Sequence, residues 1–583
     1  MDWPLERACD IGSMNVRGPR AYGFLYGFLL PITIILIIPS MIGQLTISKP
    51  NLSSITFCLL DCYRRLEGQG IMLQRCLSLV VLAVLTCVQV GYAQDGTTHD
   101  GRPERSVSRL GNGSEKSEPG LLSLLPADSV TEHSLKIDGR DLAYKATAGT
   151  LSLFGRDGER SAAIFYTSYV GEHQAQDRPV TFVFNGGPGA SSAYLHLGLV
   201  GPKILDFGPS ERDGAGAKLV DNPQTWLAFT DLVLIDPIGT GWSRAAKSDS
   251  AKDFFGVQQD AGVVAKTIAL WLAHSGRMSS PKYLLGESYG GLRAFKVASD
   301  LQQDQGIVTS GVIAISPLLE GPLLFGSSKF ALGAALQLPS LAAAELESRH
   351  AFSKEAVRSA EQFAMGDFLT TLAGSPPTGA KADDFYGRVA QQTGLPIDIV
   401  RKSRGFIRDA FSKHLREGDR AVVSRYDAAF AAPDPFPETV SARNDDPILD
   451  GFTRAYGGAF VSYARSELGF KTEMTYELLV EDINEKWDWG RGGRSQVSAT
   501  DDIRQLLSIN PSFRVMIAQG YSDLVTPYAV NKYVVDHLPE TVGARVKLNL
   551  YRGGHMLYTT RSSRIELTDD AKAFYETRSM PAD

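Results

Sequence analysis

Short apolar runs that end at glycine-rich turns recur along the chain after about residue 130. They are rich in β-branched and aromatic residues, which is typical of buried strands. Segments with helical spacing, such as residues 261–273 and 292–301, lie between them. This alternation predicts an α/β protein with a mostly parallel sheet covered by helices on both faces. The predicted strands are residues 180–184, 232–235, 283–285, 312–315, 515–518 and 546–550.

The strand pattern fades between residues 324 and 499. Segments rich in Ala, Glu and Arg, such as residues 341–363, take its place, and this composition favours helices. We therefore predict a helical cap at residues 324–499, inserted between the two parts of one core, residues 131–323 and 500–583.

Two apolar segments precede the core. Residues 21–48 carry no charge and are long enough to span a bilayer. Residues 72–93 contain one basic residue, Arg75, then an apolar stretch and a small-residue end, which is the pattern of a secretory signal peptide. Because the two rarely follow each other so closely, we interpret residues 1–71 as an extension from an early start codon. The alternative is a real membrane anchor, and the signal predicts a periplasmic or secreted protein.

Residues 94–130 are predicted to be a flexible linker, because their Gly, Ser, Asp, Glu and Arg residues bury little apolar surface. The whole chain has 59 Lys and Arg against 65 Asp and Glu, a net charge of −6, and no long basic stripe. A nucleic-acid partner is therefore not expected. The remaining composition, 43% hydrophobic and 21% charged, is that of a globular protein.

All five cysteines precede residue 94, which excludes disulfides, a thiolate nucleophile and a Cys-ligated zinc site from the core. An HExxH pattern does not occur either, so we predict no metal and no cofactor. The cysteines are Cys9, Cys58, Cys62, Cys76 and Cys87.

One predicted strand runs directly into the sequence Gly-Glu-Ser-Tyr-Gly at residues 286–290, and a helix-like stretch follows. This is the setting of a nucleophile elbow, in which small residues two positions before and after Ser288 permit a sharp turn. A match to the five-residue spacing arises by chance roughly 0.4 times in a chain of this length, so an ordinary glycine turn is the alternative. The strand-turn-helix context favours the elbow.

A serine nucleophile needs a histidine base held by a carboxylate, and in this type of fold the acid precedes the histidine along the chain. Asp523 and His555 follow the last two predicted strands in that order. Residues 185–189, Asn-Gly-Gly-Pro-Gly, follow the first predicted strand and offer backbone N–H groups for an oxyanion hole. The N–H of Tyr289 would be its second donor. Each of these features alone is also compatible with an ordinary turn or cap.

Five ordered motifs together resemble the serine carboxypeptidase family over roughly residues 135–580. The resemblance implies an α/β-hydrolase fold with a helical insertion, a triad of Ser288, Asp523 and His555, an oxyanion hole at Gly187 and Tyr289, and removal of C-terminal amino acids from peptides. The motifs are FNGGPGASS at 184–192, DPIGTGWS at 236–243, GESYGG at 286–291, GYSDLVTP at 520–527 and GGHM at 553–556.

The resemblance implies that the residues with which the family binds a free substrate carboxylate correspond to Asn185, Gly186 and Glu287. An ionised Glu287 would repel that carboxylate, but burial beside it should keep the glutamate protonated and able to donate a hydrogen bond. The sequence therefore predicts operation at acidic pH on peptides with a free C-terminus.

The sequence departs from the family at Val183, where tryptophan is usual, and at Ala190, where cysteine is usual. Because the cysteines that form disulfides in eukaryotic relatives are absent, the chain resembles a bacterial-type member of the family. Two alternatives to a carboxypeptidase remain: an esterase or acyltransferase of the same fold, and a secreted binding protein without turnover.

Overall fold

The computed structural model describes residues 120–172, 178–442 and 446–577. The predicted membrane-spanning segment, the signal peptide and most of the predicted linker lie outside these residues. Among the described residues, no helix combines the length and apolar character needed to cross a membrane.

A ten-stranded sheet forms the centre of the structure. Along it the order is β1-β2-β3-β7-β4-β9-β10-β13-β14, and β8 pairs with β3. The last six of these strands, from β7 to β14, are parallel, and the β1 to β3 part is antiparallel. The strands are β1 Ser129–Ile137, β2 Arg140–Phe154, β3 Arg160–Gly171, β4 Val180–Phe184, β5 Lys203–Asp206, β6 Lys218–Asp221, β7 Asp231–Ile235, β8 Arg244–Ala245, β9 Lys282–Glu287, β10 Gly311–Ile315, β11 Ala421–Val423, β12 Ala431–Pro433, β13 Arg514–Gly520 and β14 Val546–Tyr551.

Helices connect the parallel strands and cover both faces of the sheet. All six predicted strands and both predicted helices of the core are confirmed, each within a strand or helix of the structure. The α-helices are α1 Ala193–Leu195, α2 Val257–Ser275, α3 Tyr289–Asp304, α4 Gly321–Phe325, α5 Ala331–Ser348, α6 Lys354–Phe363, α7 Leu369–Ala373, α8 Ala380–Thr393, α9 Ile397–Lys402, α10 Arg408–His414, α11 Ala455–Ser466, α12 Glu481–Glu485, α13 Thr500–Ile509, α14 Tyr528–Asp536, α15 Glu540–Gly543 and α16 Arg561–Glu576.

The parallel strands are buried on both faces, which explains their continuous apolar sequences. Every residue of β4 is buried, and successive side chains point to opposite faces of the sheet. Phe182 belongs to the apolar cluster on one face, with α2 and α3, whereas Val183 belongs to the cluster on the other face. The predicted α/β-hydrolase class agrees with this mostly parallel, helix-covered sheet.

The structure divides the predicted cap of residues 324–499. Helices α5 to α10 and strands β11 and β12 surround an apolar cluster of their own, which extends from Ala334 to Ala428 and includes Leu524. We call residues 331–433 the insertion. Residues 455–499 instead pack on the sheet, because aromatic residues of α11 such as Phe460 and Tyr463 join the sheet-face cluster. This packing differs from the predicted cap of residues 324–499.

The predicted linker is also shorter than expected at its C-terminal end. Residues Leu121–Leu124 form a 3₁₀ turn, and β1 already begins at Ser129. The Thr472 hydroxyl donates a 2.8 Å hydrogen bond to the Leu124 carbonyl, which ties this turn to the core. The sequence-based boundary at residue 130 overlooked the short apolar run at residues 121–125, which directly follows a long polar stretch.

Candidate active site

Ser288 lies at the sharp turn between β9 and α3. Its backbone adopts φ 61° and ψ −125°, an unfavourable conformation for a residue with a side chain. The glycines on either side make the turn feasible, because a Cβ on Gly286 would lie 1.9 Å from the carbonyl oxygen of Gly290. The Ser288 N–H donates to the carbonyl of Ile315 at the end of β10, at 2.9 Å. The predicted elbow is therefore present in the fold.

Asp523 and His555 follow the adjacent strands β13 and β14, and they form a direct hydrogen bond. The distance from His555 Nδ1 to Asp523 Oδ2 is 2.9 Å, and both side chains are buried. With Nδ1 held by the carboxylate, Nε2 is the ring nitrogen left to exchange a proton with a substrate or nucleophile.

The Asp523 carboxylate accepts four further hydrogen bonds. The backbone N–H groups of Val525 and Thr526 donate to Oδ1, at 2.8 and 3.0 Å. The Gln519 amide and the Thr526 hydroxyl donate to Oδ2, each at 2.8 Å. These donors, together with His555, fix the orientation of the carboxylate.

The charge on Asp523 governs the titration of the histidine. Burial lowers the pKa of His555, but the Asp523 carboxylate and its hydrogen bond raise it by more, and Glu287 contributes in the same direction. The net pKa of His555 therefore lies above its ordinary value of 6.5. A base of this kind can accept a proton from a serine hydroxyl near neutral pH.

Ser288 and His555 are connected through the end of β10. Ser288 bonds to Ile315 as described, and the hydroxyl of the next residue, Ser316, donates to the His555 carbonyl at 2.7 Å. Within the described parts of the chain, the Ser288 side chain forms no hydrogen bond of its own. The structure thus brings the three predicted residues to one edge of the sheet, with a direct side-chain bond between Asp523 and His555.

Two backbone N–H groups are available beside Ser288. Residues 185–189 run so close to the elbow that a Cβ on Gly186 would lie 2.7 Å from the Tyr289 nitrogen and 2.6 Å from the Glu287 carbonyl oxygen. Among the described residues, neither the Gly187 N–H nor the Tyr289 N–H donates a hydrogen bond. Unpartnered donors at the N-terminus of a helix can stabilise a negatively charged oxygen.

Glu287, the residue before Ser288, is buried and contacts Asn185 and Tyr558. The Asn185 amide donates to Glu287 Oε2 at 2.5 Å, and the Tyr558 hydroxyl donates to the same oxygen at 2.8 Å. Asn185 is itself held by the Leu195 N–H, which donates to its Oδ1 at 3.0 Å. We call Asn185, Gly186, Glu287 and Tyr558 the carboxyl pocket.

Burial gives Glu287 an unusual titration. It raises the pKa of this carboxyl group from 4.5 to about 7, although His555, Tyr558 and Asn185 all act against the shift. A glutamate with this pKa is largely protonated at mildly acidic pH. Because both donors approach Oε2, Oε1 is the oxygen that can carry the proton and donate it in a hydrogen bond.

Sequence reasoning missed Tyr558 and Arg293. Tyr558 is three residues after His555, but no spacing rule marks a tyrosine as the partner of a glutamate 271 positions earlier. Arg293, in α3, is almost fully buried; its Nε donates to Asp260 at 2.6 Å and its Nη1 donates to the Asn185 carbonyl. This ion pair fixes the backbone of the carboxyl pocket.

The sheet order, the elbow and the Asp-His pair define a serine hydrolase arrangement on an α/β-hydrolase fold. Residues 142–310 match the family model described as serine carboxypeptidase. This match covers less than a third of the chain, so the chain is similar to that family over this segment.

Individual relatives match over limited segments. Serine carboxypeptidase-like 44 of Arabidopsis thaliana is 29% identical over 160 residues, 27% of this chain and 31% of the relative. Pheromone-processing carboxypeptidase KEX1 of Arthroderma otae is 29% identical over 177 residues, 30% of this chain and 26% of the relative. The matches thus span less than a third of the length of these relatives.

Among solved structures, Kex1(delta)p, a prohormone-processing carboxypeptidase from Saccharomyces cerevisiae, aligns with 73% of this chain and 92% of its own. The identity is 14% and the TM-score is 0.46.

We expect Gly186→Ala to disable the site, because the added methyl group would collide with the backbone of the elbow. A fluorophosphonate reagent should label Ser288 about 100-fold more slowly in this variant, the size of effect seen when one oxyanion donor is lost. Gly458→Ala is the matched control, since its Cβ would meet no atom within 4 Å. Labelling of Gly186→Ala at the wild-type rate would contradict the close packing described here.

Proposed function

We propose that this protein is a serine carboxypeptidase that hydrolyses the C-terminal peptide bond of peptides through an acyl-enzyme. The observation that carries the proposal is the buried Glu287 carboxyl group, paired with Asn185 and directly preceding Ser288. A protonated carboxyl beside a nucleophile is suited to binding a free substrate carboxylate. A simple esterase has no need of this device.

In the proposed reaction, His555 Nε2 takes the Ser288 hydroxyl proton while Oγ attacks the carbonyl carbon of the last peptide bond. The N–H groups of Gly187 and Tyr289 stabilise the oxyanion of the tetrahedral intermediate. His555 then gives its proton to the leaving nitrogen, the C–N bond breaks and the free amino acid departs. Water, deprotonated by His555, hydrolyses the resulting ester, and Ser288 recovers its proton. Asp523 stays ionised throughout and stabilises the imidazolium.

The carboxyl pocket would bind the C-terminal carboxylate of the peptide substrate. Glu287 Oε1–H and the Asn185 amide would donate hydrogen bonds to the terminal carboxylate, with Gly186 lining the pocket by its backbone. Tyr558 and Asn185 both donate to Oε2, which directs the proton to Oε1. The substrate bond next to the bound carboxylate would then lie at Ser288, because Glu287 and Ser288 are consecutive residues.

A pair of N-blocked dipeptides tests this function. With a free terminal carboxylate the dipeptide should release its last amino acid, whereas the matching C-terminal amide should react far more slowly at pH 4 to 7. Ser288→Ala should lower turnover by about 10⁶-fold, and Asp523→Asn by about 10⁴-fold because the histidine loses its correct tautomer. A preference for simple esters regardless of a carboxylate would instead support the esterase alternative.

The pH dependence should identify Glu287. As pH rises through about 7 the wild-type glutamate ionises and repels the substrate carboxylate, so KM should increase. Glu287→Gln should remain active with a KM that stays flat over this range. Its acidic limb of kcat should move to lower pH, because Glu287 raises the pKa of His555.

Tyr558→Phe provides the matched control for the pH experiment. It removes a donor that lowers the pKa of Glu287, so the rise in KM should move to higher pH rather than disappear. Identical KM profiles for the wild type and Glu287→Gln would exclude the proposed role of the glutamate.

We further propose that the protein is exported to the periplasm or secreted. The proposal rests on the signal-like residues 72–93, which lie outside the described part of the chain. Purified mature protein should begin near Gln94 on N-terminal sequencing. A retained Met1 would instead support the membrane-anchor alternative for residues 21–48.

A further inference from the structure

The two residues that flank Ser288 send their side chains into different surroundings. Glu287 enters the carboxyl pocket, whereas the ring of Tyr289 contacts the indoles of Trp487 and Trp489, with centroid distances of 5.3 and 5.5 Å. If the carboxyl pocket holds the departing amino acid, as proposed above, the aromatic side faces the residue that becomes the acyl group. On that assignment, the surroundings of Trp489 would contact this penultimate residue of the peptide.

We call the rings of Tyr289, Trp489 and Phe325 the aromatic wall, and Arg494 contacts two of them. Its guanidinium carbon is 4.7 Å from the ring centroid of Phe325 and 5.3 Å from that of Trp489. The ring contacts orient the guanidinium without neutralising it. Arg494 is exposed and has no carboxylate partner among the residues that the structure describes.

A second arginine, Arg408, lies near the same wall. It begins helix α10, and the following residue, Asp409, accepts a 2.7 Å hydrogen bond from Ser328, three residues after Phe325. Asp409 is also the nearest carboxylate, at 3.7 Å from Arg408, but 69% of its side chain is exposed, so water screens the pair. Neighbouring protein atoms partly desolvate the exposed Arg494 side chain and lower its pKa, and the nearby Arg408 charge lowers it further.

The wall is close to the histidine as well. Tyr426, a neighbour of Arg494, packs its ring against that of His555 at a centroid distance of 5.2 Å. The His555 N–H also donates to the Tyr426 carbonyl at 2.5 Å. On one side, Arg494 contacts Trp489, which contacts Tyr289 beside Ser288. On the other side, Arg494 is near Tyr426, which packs against His555.

Two nearby cations that lack buried carboxylate partners repel each other, and an anionic group between them relieves this repulsion. We propose that Arg494, assisted by Arg408, binds the side-chain carboxylate of an aspartate or glutamate at the penultimate position of the peptide. The inference rests on the proposed carboxypeptidase function and adds its substrate class: peptides with an acidic residue before the last one.

Four N-blocked dipeptides that end in alanine test this specificity, with Glu, Gln, Leu or Lys as the penultimate residue. The wild type should cleave the Glu substrate at least about tenfold more efficiently, in kcat/KM, than the isosteric Gln substrate, as expected for a charge-assisted hydrogen bond. Raising the salt concentration should reduce this ratio, because the arginine is exposed.

Arg494→Gln should bring the Glu to Gln ratio close to one while leaving the Leu substrate within about threefold of the wild-type value, since an exposed polar replacement removes only the charge. Arg494→Glu should favour the Lys substrate over the Glu substrate. Arg491→Gln is the matched control, an exposed arginine of the same segment, and it should keep the wild-type ratio.

The outcomes separate the two proposals. Cleavage of all four dipeptides with equal efficiency for Glu and Gln overturns the acidic preference and leaves the carboxypeptidase function intact. The same holds if Arg494→Gln retains the wild-type ratio. Cleavage of none of the four, with Ser288 still labelled by a fluorophosphonate, overturns both.

Discussion

The close contact between the backbone of residues 185–187 and the elbow at Ser288 determines the geometry of the whole site. Only glycine at position 186 permits it, since any Cβ would meet three backbone atoms of the elbow within 2.7 Å. This one contact sets the Gly187 N–H beside that of Tyr289 and brings the Asn185 amide onto Glu287. Buried Arg293 maintains the contact by binding the Asn185 carbonyl from within α3. The proposed oxyanion hole and the proposed carboxylate recognition therefore share a single structural cause.

Electrostatics links the two halves of the site. Glu287 raises the pKa of His555, and the His555 charge in turn lowers that of Glu287. Interacting groups of this kind titrate as a pair, so their protons are not gained and lost independently. Asp523 biases the pair, because its ionised carboxylate favours a proton on the imidazole and disfavours the charge on Glu287. In the proposed function, a substrate carboxylate would select neutral Glu287, the state in which this group has no charge to raise the pKa of His555.

The sequence was most informative where burial leaves a periodic pattern. Strands such as β4 are buried on both faces and appear as uninterrupted apolar runs, so the parallel sheet and the loops that follow its strands could be predicted. Buried and more exposed positions instead alternate along much of β2, so its sequence contains no uninterrupted apolar run. Helical spacing shows that α11 has an apolar face but not which surface covers it. The predicted cap of residues 324–499 therefore included α11, which packs on the sheet. Tyr558 and Arg494 depend on contacts between distant residues, which no local pattern records.

Tyr426 belongs to the insertion, yet its ring lies against His555 and its carbonyl accepts the His555 N–H. The hydrogen bond from the Leu524 N–H to the Arg425 carbonyl adds a second link, next to Asp523. The inserted helices are thus built into the support of the base and its acid partner. Deleting residues 331–433, or exchanging them for the lid of another hydrolase, would leave the histidine loop without one of its walls. Changes to the insertion that keep this support are therefore substitutions on its surface rather than its wholesale replacement.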